Sequence, residues 1–234
     1  MLLRRFCILR MNVGDQVKRK ITAAVLLFII ALLLLPGCSQ EQPVVDGLQV
    51  SFIDVGQADS ALVQCGDGAM LIDGGNREDS DLIYTFLKDK GVKSLDYVVC
   101  SHPHEDHVGG LSAAFEVCDV GTVIAPVDDY DSDLYRDFAA SAEDCGGITV
   151  VSPGDTFTLG QAEIEILGPV QDYDDTNDMS IVLKITYGDT SFLFTGDAES
   201  LSEHDIIDSG ADLDTFFIIK ACHPRAKITA DNFG

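Results

Sequence analysis
An α/β architecture is the fold class this sequence predicts, and three observations carry it. Apolar runs of strand length recur along the chain, many of them bounded by glycine. Segments with helical spacing of apolar residues lie between them, so strands precede and separate helices. Some runs alternate and others are apolar throughout, the pattern of sheets buried by helices on their outer faces. With 234 residues, 46% hydrophobic, 23% charged, 21 Gly and 7 Pro, composition is ordinary globular usage and excludes collagen-like, low-complexity and broadly disordered chains. No repeat of about 20 to 50 residues is present, which excludes solenoids.

The chain opens on an address. Ile21–Leu35 is apolar except for Thr22, follows Lys18-Arg19-Lys20 and leads into Pro36-Gly37-Cys38. A charged start, an apolar centre and a small-residue exit make a secretory signal. Leu35-Pro36-Gly37-Cys38 resembles a bacterial lipobox, which implies a signal peptide over 1–37, acylation of Cys38 and an extracytoplasmic, membrane-anchored lipoprotein. An uncleaved anchor is the alternative, although the run falls short of the ~20 residues a spanning helix prefers. Residues 38–47 are then a tether and 48–234 a single domain.

Within that domain Leu48–Asp54, Ser60–Gln64 and Ala69–Asp73 read as strands. Leu82, Ile83, Phe86 and Leu87 recur at helical spacing in Asp81–Lys90, which Gly91 ends. Leu95–Ser101 returns as a strand and a helix starts near His107. Val123–Ala125 is a short strand and Ser132–Ala142 a helix. Thr149–Val151, Ala162–Leu167, Ser180–Tyr187 and Ser191–Thr195 are strands, Ser200–Ser209 is helical and Thr215–Lys220 extended.

Charge narrows the function. Beyond residue 37 the chain carries 9 basic against 38 acidic side chains, net −29. Such a surface repels polyanions at long range, which argues against tight nonspecific nucleic-acid binding. Beyond Cys7 and Cys38, the five remaining cysteines (Cys65, Cys100, Cys118, Cys145 and Cys222) form no disulfide framework; Cys65 and Cys100 end apolar runs and read as core residues, and Cys118 with Cys145 is an open pairing.

The chemistry sits at strand ends. Ser101-His102-Pro103-His104-Glu105-Asp106-His107 packs three of the chain's five His and two carboxylates just past a buried strand. Imidazole with carboxylate suits Zn, Mn or Fe. On extended backbone His102 and His104 project to one side, while Asp106 and His107 enter the next turn and can face a second ion. Two more apolar runs end in Asp beside Gly, Leu71-Ile72-Asp73-Gly74 and Phe194-Thr195-Gly196-Asp197. Asp197 is the candidate bridging ligand and Asp73 the acceptor that orients a ligating His. His204, between Glu203 and Asp205 on a helix, reads as a surface residue.

His102-x-His104-x-Asp106-His107 with Thr195-Gly196-Asp197 resembles the metallo-β-lactamase superfamily, which implies an αββα four-layer sandwich with metals at one edge. The run Val50–Ser60, Leu71–Gly75, Asn177-Asp178-Met179-Ser180 and Lys220 before a His resemble the hydrolase domain of ComEC-type competence proteins, over about Leu48 to His223. Ala58 stands where those proteins usually have Gly. The resemblance implies that His102 and His104 bind one divalent ion, Asp106 and His107 the other, that Asp197 bridges them, and that His223 joins the second. Asn177 and Asp178 stand near the place of a third His that many members carry, as polar groups around the first ion. The family's His-His-Gly-Ser is here His223-Pro224-Arg225-Ala226, and the chain stops at Gly234. The expectation is a domain incomplete at its C-terminus, for which a frameshift is one origin.

Two Zn or Mn ions would lower the pKa of a shared water toward ~7, making hydrolysis the natural reaction. Asp106 is the candidate catalytic residue, orienting attack and protonating the leaving group. The ComEC resemblance points to a small-molecule or nucleic-acid phosphoester as substrate, extending to extracellular DNA, with net −29 against a processive nuclease. Two alternatives stay open: a hydrolase of acyl, lactone or β-lactam substrates, and a non-catalytic metal-binding lipoprotein. The membrane is reached through the lipid on Cys38, and no protein partner is predicted.

Overall fold
The computed structural model describes residue 25 and residues 42–220. Cys38, Cys222 and His223 lie outside the described residues, as does the 1–37 leader apart from Val25. Glu41–Gly234 forms a unit distinct from Met1–Gln40.

Alternating and apolar runs build two sheets. The first contains β1 (Val45–Phe52), β2 (Ala61–Gly66), β3 (Gly68–Ile72), β4 (Ser94–Val99), β5 (Asp119–Ala125) and β6 (Ile148–Val150), in that spatial order. Its first three strands are antiparallel neighbours and the rest run parallel from β3 onward. The parallel steps carry the helical connections that such steps require: α1 (Ser80–Lys90) after a 3-10 turn at Arg77–Asp79, then α2 (Glu105–Val108) with α3 (Ser112–Val117), then α4 (Asp133–Glu143). The second sheet has β7 (Thr156–Leu159), β8 (Ala162–Gly168), β9 (Val182–Tyr187), β10 (Thr190–Phe194) and β11 (Phe217–Ile219), ordered β11-β10-β9-β8-β7. Helix α5 (Ser200–Asp208) joins β10 to its parallel neighbour β11.

The strand period sorts residues into layers. Val63, Met70, Ile72 and Val99 of the first sheet meet Ile164, Ile166, Leu183 and Phe194 of the second in one buried core. Their neighbours Leu62, Leu71 and Val98 point the other way, against Ile83 and Leu87 of α1 and Tyr135 and Phe138 of α4. Val182 and Leu193 pack outward on Ile206 of α5. Helices on both outer faces of two packed sheets make the αββα sandwich.

Several boundaries differ from the sequence expectation. Strand β1 begins at Val45, inside the expected tether, because Gln42 already anchors the chain: its amide donates to Ser94 O at 2.8 Å and accepts from Lys93 N at 2.6 Å. Strand β7 has no counterpart in the sequence reading. Its four residues are mostly solvated, and the period of a strand that short is not distinctive. The helix expected near His107 comes in two pieces, broken at Gly109-Gly110. A Cβ on Gly110 would lie 2.1 Å from Gly74 O and one on Gly109 2.3 Å from Arg77 N, so only glycine lets these loops meet backbone to backbone. Cys118 and Cys145 are both free thiols, and Cys118 is buried with its Sγ toward Val92 O.

Candidate metal centre
Three strand ends converge at one edge of the sandwich. Strand β3 runs into Asp73, β4 leads through Cys100 and Ser101 to His102, and β10 leads through Thr195-Gly196 to Asp197. Main-chain bonds fix them together: Asp73 N donates to Val99 O at 2.9 Å and Ile181 N to Ser101 O at 2.8 Å. Ser180 Oγ accepts from Asp197 N at 3.1 Å, tying the loop before β9 to the same edge. Asp73 holds a left-handed φ of 55°, tolerable for Asp and costly for most residues with a side chain. That turn points its carboxylate back into the molecule, where it is 2% exposed.

The carboxylate of Asp73 organises what surrounds it. Its Oδ1 accepts from Ser101 N at 2.7 Å, and its Oδ2 accepts from Ser101 Oγ at 2.7 Å and from His107 Nδ1 at 2.9 Å. With Nδ1 so held, His107 Nε2 faces Asp197 Oδ1 at 3.4 Å and Asp106 Oδ1 at 3.9 Å. His102 Nε2 lies 3.9 Å from Asp197 Oδ2 and 3.1 Å from His104 Nδ1. Among the described residues His102, His107 and Asp197, all buried, offer ligand atoms within 4.8 Å of one another. His104 and Asp106 stand beside them, half-buried.

A divalent ion fits this donor set. Ligand atoms about 2.0 to 2.1 Å from a tetrahedral Zn are about 3.3 Å apart; His107 Nε2 and Asp197 Oδ1 are 3.4 Å apart, His102 Nε2 and Asp197 Oδ2 3.9 Å, and the three groups lie within 4.8 Å. Imidazole nitrogens and carboxylate oxygens are also the donors that Zn and Mn accept.

The electrostatics of the metal-free site are divided. Burial, reinforced by the neighbouring His107, pushes His102 down to about 3, so it stays neutral. Burial also works against protonating His107, but the charges and hydrogen bonds of Asp73 and Asp197 together outweigh it and raise His107 to about 11. An imidazolium therefore holds the positive charge where a cation would bind. Cys100 is pushed well up by burial and then by Asp73, and its thiol donates to His102 O at 3.1 Å as a neutral packing group.

The two polar residues expected around the first ion go elsewhere. Asp178 Oδ1 accepts from Glu199 N and Ser202 N, each at 3.1 Å, and so caps α5. Asn177 donates to Glu199 Oε1 at 3.1 Å, and its own Oδ1 is buried without a hydrogen-bond partner among the described residues. Ser101 and Ser180 bond into the site, and sequence reasoning assigned neither a role; the signal available was their place just before His102 and just before β9. His204 is exposed on α5, as expected. A cavity of about 330 Å³ opens between the sheets next to the centre, touching Asp73, Ser101 and Gly196 and otherwise mainly apolar, with Phe52, Ile72 and Phe194 in its wall.

Residues 53–222 match the Metallo-beta-lactamase superfamily. The sequence is ComEC-like: it is 28% identical over 185 residues to ComE operon protein 3 of Bacillus subtilis (strain 168), covering 68% of this chain and 23% of that relative, less than a quarter of its length. Among solved structures the fold is similar to MEM-A1, a subclass B3 metallo-beta-lactamase from a soil metagenome library, at 18% identity and TM-score 0.55, covering 77% of this chain and 79% of that one. It is also similar to a Cronobacter sakazakii metallo-beta-lactamase with a HARLDQ motif, at 16% identity and TM-score 0.52, covering 74% of each. At these identities the structural likeness is one of fold. The sequence match, by contrast, runs from the loop after β1 through β11 and takes in every residue of the centre, so the chain belongs to the metallo-beta-lactamase superfamily, whose members are generally metal-dependent hydrolases.

Proposed function
We propose that this chain is an exported hydrolase that uses two divalent ions, Zn or Mn, to cleave phosphoesters. The observation that carries the metal part is the convergence of His102, His107 and Asp197, all buried, within 4.8 Å of one another. In this reading His102 and His104 would hold one ion, Asp106 and His107 the other, and Asp197 would serve both. When bound, the ions would supply Lewis acidity and an activated water. The chain's own groups do the rest. Asp73 keeps His107 Nε2 turned toward the ligand side, and Asp106, whose side chain is 25% exposed, would be the group that passes a proton between solvent and the leaving group.

The phosphoester part rests on the likeness to ComE operon protein 3. The net charge of −29 beyond residue 37 favours a small diester over a long polyanion. The 1–37 leader and Cys38 support an extracytoplasmic bacterial lipoprotein; palmitate labelling should vanish in Cys38→Ala, and a labelled Cys38→Ala chain would refute the anchor.

The enzymatic reading is tested on the purified protein loaded with Zn or with Mn, offered bis-p-nitrophenyl phosphate, single-stranded DNA and nitrocefin. Turnover of the small diester, lost on chelation, is the expected result. Turnover of nitrocefin with silence on both phosphodiesters would overturn it.

A further inference from the structure
Asp73 reaches His107 directly, but it reaches His102 only through Ser101. The Ser101 hydroxyl is buried among three polar neighbours: Asp73 Oδ2 at 2.7 Å, His102 Nδ1 at 3.2 Å and His107 Nδ1 at 3.3 Å. A hydroxyl has one proton and a carboxylate can only accept, so that proton is directed at Asp73. What Ser101 turns toward the two rings is therefore lone-pair density. His107 satisfies this arrangement with the Nδ1–H it already directs at Asp73, 2.9 Å away. For His102 the contact is attractive only if Nδ1 carries the hydrogen, and that leaves the Nε2 lone pair facing His104 Nδ1 and Asp197. A neutral histidine in water prefers the opposite tautomer, with hydrogen on Nε2.

We propose that Ser101 is a positioning residue, a hydroxyl relay that extends the control of Asp73 from His107 to His102 and holds His102 in the Nδ1–H tautomer that offers Nε2 to a divalent ion. One carboxylate thus orients imidazoles assigned to both ions. The consequence for metal binding rests on the metal reading above; the tautomer is a property of the metal-free chain. The backbone does not depend on the relay, because Ser101 N donates separately to Asp73 Oδ1 at 2.7 Å. The turn before Asp197 passes close beside the alcohol: a Cβ on Gly196 would come within 3.1 Å of Ser101 Oγ.

Ser60 supplies a matched control. It is buried like Ser101 and donates to Asp73 as well, at 2.9 Å, but to the main-chain oxygen, which leaves the carboxylate untouched. Two-bond proton–nitrogen correlation spectra of the metal-free protein report each ring's tautomer, and zinc affinity follows from chelator competition. The wild type should show His102 as Nδ1–H. Ser101→Ala should convert it largely to Nε2–H and weaken zinc about 10-fold or more, whereas Ser60→Ala should leave both readouts as in the wild type. The relay is overturned if His102 keeps Nδ1–H in Ser101→Ala, or if Ser60→Ala weakens zinc equally. A wild type that binds no zinc overturns the metal reading, and the tautomer still decides the relay.

Discussion
Replacing Asp73 by Asn probes the group on which the centre hangs. The two side chains have the same shape, and Asn tolerates the left-handed φ of 55°, so the turn after β3 should survive. The hydrogen bonding cannot. Asp73 accepts from three donors, Ser101 N on one oxygen and Ser101 Oγ with His107 Nδ1 on the other. Whichever way the amide turns, its NH₂ confronts an N–H that needs an acceptor. One charge-assisted bond is lost, at about 1.5 to 3 kcal/mol, and a buried donor is left unsatisfied, at about 1 to 3 kcal/mol. The sum, roughly 2.5 to 6 kcal/mol, is a large part of the ~5 to 15 kcal/mol that keeps a domain folded. Asp73→Asn should therefore lower the denaturant midpoint of the metal-free protein sharply. Its His107, deprived of the charge that holds it up, should titrate lower in proton NMR, and zinc affinity should fall about 10- to 100-fold. A variant within 0.5 kcal/mol (roughly the noise of a surface substitution) of the wild type, with zinc affinity unchanged, would refute the role given to this carboxylate.

Three further outcomes are expected. Asp197→Ala should lower metal content and hydrolysis together with little change in far-UV CD, and retention of two ions per chain with normal turnover would remove Asp197 from between the ions. Asp178→Ala should destabilise by about 1 to 2 kcal/mol through loss of the α5 cap while zinc content holds; zinc loss without destabilisation would return Asp178 to the metal site. The metal-free protein should be most stable near pH 6.5. His107, raised to about 11, contributes stability that is full below 6.5 and is lost as pH rises toward 11, whereas His102, lowered to about 3, makes stability fall as pH drops from 6.5 toward 3. Zinc should remove the alkaline limb, because it displaces the His107 proton, and a melting temperature that climbs from pH 7 to 9 in EDTA would contradict the assignment.

Residues 102–107 were legible because a dense local motif needs no knowledge of distant contacts, and Asp73 and Asp197 because each ends an apolar run in Asp beside Gly. The sandwich was legible for the same reason at larger scale, since fully apolar strands demand cover on both faces. Short edge elements were not. Strand β7 is held by its pairing to β8 and packs Phe157 against Tyr97 at 4.6 Å between ring centroids, a contact made across the two sheets. Ser101 sat in plain view before His102, yet its role exists only once Asp73, 28 residues earlier, is placed against it.

Asp178 shows why residue type alone misassigns a carboxylate. It and Asp197 are both buried acids near the same edge, and the sequence placed both around the ions. What separates them is the start of α5. The residue at the N-cap of that helix is Glu199, a poor capping residue, and its side chain makes no capping bond. Its carboxylate is instead 3.1 Å from Asn177 Nδ2. The first N–H groups of α5 still require an acceptor, and Asp178, 21 and 24 residues before the two it serves, supplies one from another loop. A helix start lacking Ser, Thr, Asp or Asn at its N-cap is a reason to look for an acceptor on another segment; for α5 that acceptor is Asp178, which is subtracted before the metal ligands are counted. With Asp178 subtracted, the candidate ligands left at this edge among the described residues are His102, His104, Asp106, His107 and Asp197, with Asp73 behind them, bonded to Ser101 and His107.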